Sequence, residues 1–112
     1  MLNEYSVGDS RDLLKQVESS SVDLVYIDPP YCTGRDFYHF DDRFKSSADY
    51  RELLMRPILT ECHRILSDVG NIVVHVEPKV SHHIRILLDD IFGEKKFKNE
   101  IVWVSGGNHK SK

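Results

Sequence analysis

The sequence predicts an α/β fold in which parallel strands alternate with helices packed on the faces of one sheet. Short apolar runs, typical of buried strands, alternate along the chain with stretches whose apolar residues recur every three or four positions, as in helices. Capping residues, glycines and prolines separate these segments. The length of 112 residues, with 40% hydrophobic and 29% charged residues, suits one globular domain.

The first part of the chain is predicted to form strand, helix and strand in that order. We expect the first strand over Glu4 to Gly8, and then a helix that Asp9 or Ser10 caps. A serine cluster ends this helix. The compact apolar run Val22–Ile27 is predicted to be a strand buried on both faces, as in parallel sheets.

A long helix is predicted next, because apolar residues recur at helical spacing as far as Leu66. Ser46 and Asp49 resemble a capping box at its start, and Pro57 should kink it or begin a new segment. Gly70 is predicted to be a left-handed cap or turn residue. A strand over Asn71 to Val76 should follow.

The remaining segment contains a second predicted helix and a last strand. Pro78 can open that helix and Gly93 can close it. The last strand is expected over Glu100 to Val104. Residues 1–104 therefore form the predicted domain, and residues 105–112, which show no apolar period, are predicted to be a flexible tail.

Composition limits the classes of partner and site. The net charge of −3 gives no direct support to a nucleic-acid partner, although lysines concentrate in residues 94–112. Since no apolar run approaches the ~20 residues of a membrane span, no membrane partner is expected. Cys32 and Cys62 lack metal or disulfide spacing and the histidines form no ligand motif, which predicts a cytoplasmic protein without a metal site.

The segment Asp28-Pro29-Pro30-Tyr31 follows the apolar run at residues 22–27, where open α/β sheets place their ligand crevice. Pro29 and Pro30 have a fixed φ and no N–H, so together with the Asp28 carboxylate they form a stiff cluster of hydrogen-bond acceptors. Such a cluster suits the two N–H donors of an amino group on an aromatic base. The Tyr31 ring could stack on a flipped base. The alternative interpretation is an ordinary rigid turn.

The motifs around this segment resemble those of the amino-methyltransferases of restriction-modification systems, and look most like the modification subunits of type III systems. Nearly the whole chain takes part in the resemblance. The matching residues are Gly8-Asp9-Ser10, Ser21-Val22-Asp23-Leu24, Asp28-Pro29-Pro30-Tyr31, Thr33-Gly34, Asp36-Phe37-Tyr38, Asp41, Phe44, Ile91-Phe92-Gly93 and Asn99-Glu100-Ile101-Val102-Trp103.

The resemblance implies part of a Rossmann-like fold that depends on S-adenosyl-L-methionine. It implies methyl transfer to DNA, at N6 of adenine in preference to N4 of cytosine. Asp28 and the Pro29 carbonyl would hold the amino group, with Pro30 completing the catalytic motif, and Tyr31 would stack on the flipped base. Asp28 would also approach the cofactor. Asp9 would either line the cofactor pocket or cap a helix.

The loop after this motif would close over the flipped nucleotide. Its implied substrate-binding residues are Thr33, Gly34, Phe37 and Tyr38. Three aromatic residues of this loop could equally be anchors packed into the core: Phe37, Tyr38 and Phe40. Cys32 departs from the pattern, because many relatives have Asn at this position.

A larger departure is the absence of the Phe-x-Gly-x-Gly element with which this family approaches its cofactor. The chain is therefore predicted to be the N-terminal catalytic half alone, leading into a target-recognition and cofactor-binding region that it lacks. Alone, it is expected to be inactive.

DNA is the partner that the resemblance implies, and a restriction subunit and a second copy of the chain are further candidates. Two other functions remain open. Related Pro-Pro-Tyr motifs serve other planar amines, so the substrate could be RNA or a protein glutamine amide. The chain could also be a noncatalytic module that binds nucleic acid.

Overall fold

The computed structural model describes residues 3–30, 36–37, 40–41 and 46–106. Strand β1 (Val22–Ile27) belongs to a parallel sheet, and β2 (Asp36–Phe37) and β3 (Phe40–Asp41) pair antiparallel in a separate one. The parallel partner of β1 is β4 (Leu66–Val74). Helices pack against this sheet, so the predicted α/β class is confirmed.

The first helix, α1 (Ser10–Leu13), continues as a 3₁₀ turn over Leu14–Gln16. Asp9 caps it, since its carboxylate accepts a hydrogen bond from the Arg11 N–H at 2.9 Å. The predicted helix and cap are confirmed. The predicted strand over residues 4–8 is wrong, because these residues lie outside any strand and no described strand runs beside them to supply hydrogen bonds.

The predicted long helix is a run of three helical segments: α2 (Ser47–Asp49), a π-helix (Tyr50–Met55) and α3 (Arg56–Ile65). Ser46 caps α2 as predicted, with its hydroxyl accepting from the Asp49 N–H at 3.1 Å.

Pro57 lies in the first turn of α3, so the prediction that it begins a new segment is confirmed. Proline has no N–H, and it therefore cannot bond the Leu53 carbonyl one turn earlier. Arg11 Nη1 donates to that carbonyl at 3.0 Å instead. A side chain from α1 thus replaces the missing backbone donor.

Gly70 lies inside β4, and its predicted role as a left-handed cap is wrong because its φ is not positive. A Cβ at Gly70 would lie 2.7 Å from Leu66 Cδ2 and 3.0 Å from the Val22 carbonyl oxygen. Val22 pairs with Leu66 but Leu24 pairs with Asn71, so the strand bulges around Gly70. Glycine is needed here because the Leu66 side chain and the Val22 carbonyl lie where a Cβ would be.

The last long helix, α4 (Pro78–Phe92), has Pro78 in its first turn and ends at Gly93, whose φ of 94° is in the left-handed region. Both predicted boundaries are confirmed. The predicted strand Glu100–Val104 is wrong: these residues have no regular structure and are exposed. In the described part of the chain, no strand pairs with them.

The core lies between the parallel sheet and the two longer helices, α3 and α4. Val25 and Ile27 of β1 contact it, whereas Leu24 and Tyr26 on the other face are each 61% exposed. The prediction that β1 is buried on both faces is therefore wrong, because the described helices cover one face only. Among the described residues, no helix has the length and apolar character needed to cross a membrane.

Candidate active site

The Asp28-Pro29-Pro30 segment leaves the sheet at the carboxyl end of β1, as the sequence predicted. Ile27 pairs with Val74 of β4, and the N–H of the next residue, His75, donates to the Ile27 carbonyl at 2.9 Å. Because parallel strands end at the same edge of a sheet, Asp28 and His75 become neighbours there. This is the edge at which open α/β sheets bind ligands.

The backbone of this segment presents carbonyl groups without competing N–H donors, because Pro29 and Pro30 have none. The Pro30 carbonyl accepts a hydrogen bond of 2.6 Å from the Tyr50 hydroxyl. Tyr50 begins the π-helix and is fully buried. The turn is therefore attached to the helical layer as well as to the sheet.

The Asp28 carboxylate is accessible, with its side chain 58% exposed. Its Oδ1 lies 3.8 Å from His75 Nδ1, a separation that makes an ion pair when the imidazole is protonated. The Tyr26 hydroxyl lies 3.3 Å from the same ring nitrogen. Sequence reasoning missed His75, which was treated as one of several histidines without a ligand motif. Its position directly after a strand, matching that of Asp28, was the available indication.

Asp9 is engaged at the start of α1. Besides capping the helix, it forms an ion pair with Arg11, with 2.6 Å between Oδ2 and Nη2. The Arg11 side chain and then the Arg11 backbone N–H lower the pKa of Asp9 from 3.8 to about 2. These contacts support the helix-cap alternative. Whether Asp9 also lines a cofactor pocket stays a prediction.

Of the four described glycines, Gly8 and Gly70 lie against other parts of the chain, whereas Gly93 and Gly106 face open space. A Cβ at Gly8 would lie 3.1 Å from Leu13 Cδ1, and one at Gly70 would meet Leu66 and the Val22 carbonyl. Both glycines therefore contact the chain's own atoms. At the carboxyl edge of the sheet the described residues offer the exposed Asp28 carboxylate. Beside β1, an open cavity of about 520 Å³ is lined by residues that include Glu4, Ser10 and Tyr26.

Several predicted site residues fall outside the described part of the chain. These are Tyr31, Thr33, Gly34 and Tyr38, together with Cys32. The backbone of Phe37 lies in β2, opposite Phe40 of β3. The roles predicted for these residues stay predictions.

Comparison with known proteins shows a consistent similarity. Residues 22–112 match the sequence model of a family described as DNA methylase. The type II methyltransferase M.KpnI of Klebsiella pneumoniae is 34% identical over 113 residues, covering 93% of this chain and 27% of that protein. The Mod subunit of the type III restriction-modification enzyme StyLTI of Salmonella typhimurium is 26% identical, covering 90% of this chain and 20% of that subunit.

A third relative is the DNA adenine methyltransferase YhdJ of Escherichia coli, which is 29% identical over 96 residues. That alignment covers 86% of this chain and 31% of YhdJ. The chain thus spans between 20% and 31% of the length of these three relatives.

Proposed function

This chain belongs to the DNA methylase family, and we propose that it forms the catalytic half of an enzyme that methylates an amino group of a DNA base. S-adenosyl-L-methionine is the proposed methyl donor. We propose N6 of adenine as the acceptor rather than N4 of cytosine, because one relative is named a DNA adenine methyltransferase. The observation that carries the proposal is the Asp28-Pro29-Pro30 acceptor turn at the carboxyl end of β1.

The proposed role of this turn follows from the chemistry of an aromatic amine. Its nitrogen carries two N–H donors, and its lone pair is delocalised into the ring. Asp28 and the Pro29 carbonyl would each accept one hydrogen, which shifts the nitrogen toward tetrahedral geometry and localises the lone pair. When bound, the cofactor supplies an electrophilic methyl group, and this chain's own residues supply the acceptors that prepare the nucleophile.

Residues 1–104 are proposed as the catalytic half, and residues 105–112 as the lead into target-recognition and cofactor-binding regions. The limited share of each relative that is matched supports this proposal. The proposed partners are DNA with its target base flipped out, a restriction subunit and a second copy of the chain. The proposed location is the cytoplasm.

The test is single-turnover methylation of DNA by the full-length protein that carries these residues, compared with its Asp28→Ala variant. Asp28→Ala should lower the single-turnover rate constant, and with it kcat, by about 100- to 1000-fold, by analogy with loss of one preorganised transition-state contact. DNA affinity should change little, because the lost bond strengthens in the transition state. Asp68→Ala, an exposed substitution near the start of β4, is the matched control.

A near-normal rate for Asp28→Ala would show that the turn is only structural. Methylation of RNA or of a glutamine amide in place of DNA would favour the alternative substrates. Absence of methyl transfer to any of these, combined with retained nucleic-acid binding, would favour a noncatalytic module.

A further inference from the structure

Tyr50 connects the catalytic turn to the hydrophobic core. Its hydroxyl donates to the Pro30 carbonyl at 2.6 Å, and its side chain is fully buried. The ring belongs to a core cluster that includes Val80, Ile84 and Leu87 of α4. Because close packing fixes the ring, it also fixes the place of the hydroxyl.

The helix changes form at this residue. The Tyr50 N–H donates to the Ser46 carbonyl at 3.1 Å, and the π-helix runs from Tyr50 to Met55. Residues five positions apart lie on different faces of an α-helix, yet Tyr50 and Met55 are both fully buried. The wider turn thus allows both side chains to enter the core. Such π-helical turns frequently occur at functional sites.

We propose that Tyr50 is a positioning residue for methyl transfer, an inference that rests on the proposed function. The Pro30 carbonyl belongs to the peptide group that leads to Tyr31. Holding its oxygen restrains the orientation of the Pro30 carbonyl. The contact restrains the turn one residue after Pro29, whose carbonyl, next to Asp28, is the proposed acceptor for the amino group.

The experiment uses Tyr50→Phe in the full-length protein, which keeps the ring in the core and removes only the hydroxyl. We expect kcat for DNA methylation to fall about 10- to 100-fold, because displacement of a reacting group by about 1 Å can cost 100-fold. KM for DNA should change by less than roughly threefold, because the contact acts on the reacting geometry rather than on binding. If Tyr50 had only a structural role, Tyr50→Phe would lower stability but would not lower kcat selectively while leaving KM unchanged.

Two control variants separate positioning from stability. Met55→Leu alters the same core cluster without touching Pro30, and Tyr5→Phe removes the hydroxyl of a side chain that is 90% exposed. Each rate is measured at a temperature that lies the same number of degrees below the thermal unfolding midpoint of that variant. Both controls should keep kcat within roughly threefold of the unsubstituted protein, because neither alters a contact to the reacting groups.

Equal kcat losses in Tyr50→Phe and Met55→Leu would overturn the inference while leaving the proposed function intact. An unsubstituted protein without methyltransferase activity would instead refute the proposed function. Should Tyr50→Phe not fold, a fluorinated tyrosine at position 50 keeps the packing and carries a more acidic hydroxyl. It should change kcat without changing KM for DNA, and kinetics identical to those of the unmodified protein would overturn the inference.

Discussion

The Nδ1 atom of His75 lies 3.8 Å from the Oδ1 atom of Asp28, because each residue directly follows one of two paired parallel strands. Both side chains are more than half exposed. Water therefore screens the interaction, and an exposed ion pair of this kind contributes only about 0 to 1 kcal/mol. The contact can orient the carboxylate without being a large source of rate.

Replacing His75 with alanine should accordingly lower kcat by less than about fivefold, since about 1 kcal/mol corresponds to that factor. This is far below the loss expected for Asp28→Ala. The methylation rates of the two variants are compared under single-turnover conditions. The control is His82→Ala, at an exposed position of α4. A loss in His75→Ala as large as in Asp28→Ala would mean that the imidazole takes part in the chemistry.

Tyr31 is predicted to stack on the flipped base, so its replacement should affect capture of the base more than the chemical step. Tyr31→Ala should weaken capture by about 1 to 3 kcal/mol, the usual contribution of base stacking on an aromatic ring. Tyr31→Phe should be mild, because the stacking face remains. Fluorescence of a base analogue at the target position measures capture directly. Equal defects in the two variants would point to the hydroxyl instead of the ring face.

Asp9 should make the stability of the fold depend on acidity. The Arg11 side chain, followed by the Arg11 backbone N–H, lowers the pKa of Asp9 to about 2 from its ordinary value of 3.8. A carboxylate with a lowered pKa in the folded state stabilises the fold above its ordinary pKa. That contribution is lost as the pH falls toward the folded value.

Asp9→Asn should therefore flatten the decline in unfolding free energy between pH 3.8 and about 2. Urea unfolding of the variant and of the unsubstituted protein across this range provides the measurement. Asp68→Asn, at an exposed position, serves as the control. Parallel curves for Asp9→Asn and the unsubstituted protein would contradict the contribution assigned to the ion pair and cap.

The isolated 112-residue chain should associate with itself through the exposed face and edge of β1. Among the described strands, β1 pairs only with β4, and an unpaired edge beside exposed apolar side chains favours strand addition. Leu24→Lys should reduce this association. Ile86→Lys, on α4 and equally 61% exposed, should not. Analytical ultracentrifugation distinguishes them, and a stable monomer of the unsubstituted chain at high concentration would contradict the prediction.

Features that depend on local sequence were predicted well. The caps at Asp9 and Ser46, the break at Pro57 and the helix end at Gly93 each depend on which hydrogen bonds or backbone angles a residue permits. Gly70 was misassigned because a left-handed cap and a close approach both require the absence of a Cβ. Sequence alone does not distinguish these two requirements.

Features that depend on distant neighbours were predicted less well. Residues 4–8 and 100–104 have suitable composition, but a strand also needs a partner, and the described sheet provides none for them. At the site, the place of Asp28 followed from the end of an apolar run. Tyr50 falls within the long helix predicted as far as Leu66, and its contact with Pro30 arises from tertiary packing.

The bond from Arg11 to the Leu53 carbonyl also constrains how this fold can diverge. With Pro57 present, losing Arg11 removes a donor from that carbonyl. Any residue other than proline at position 57 restores a backbone N–H donor in the helix, and the Leu53 carbonyl then no longer needs the hydrogen bond from Arg11. Replacing Pro57 first is thus the order that never leaves the Leu53 carbonyl without a protein donor, and the other order costs little because this bond is exposed to water. Across homologous chains that share this bend, the arginine should therefore be lost more often where the proline has already been lost.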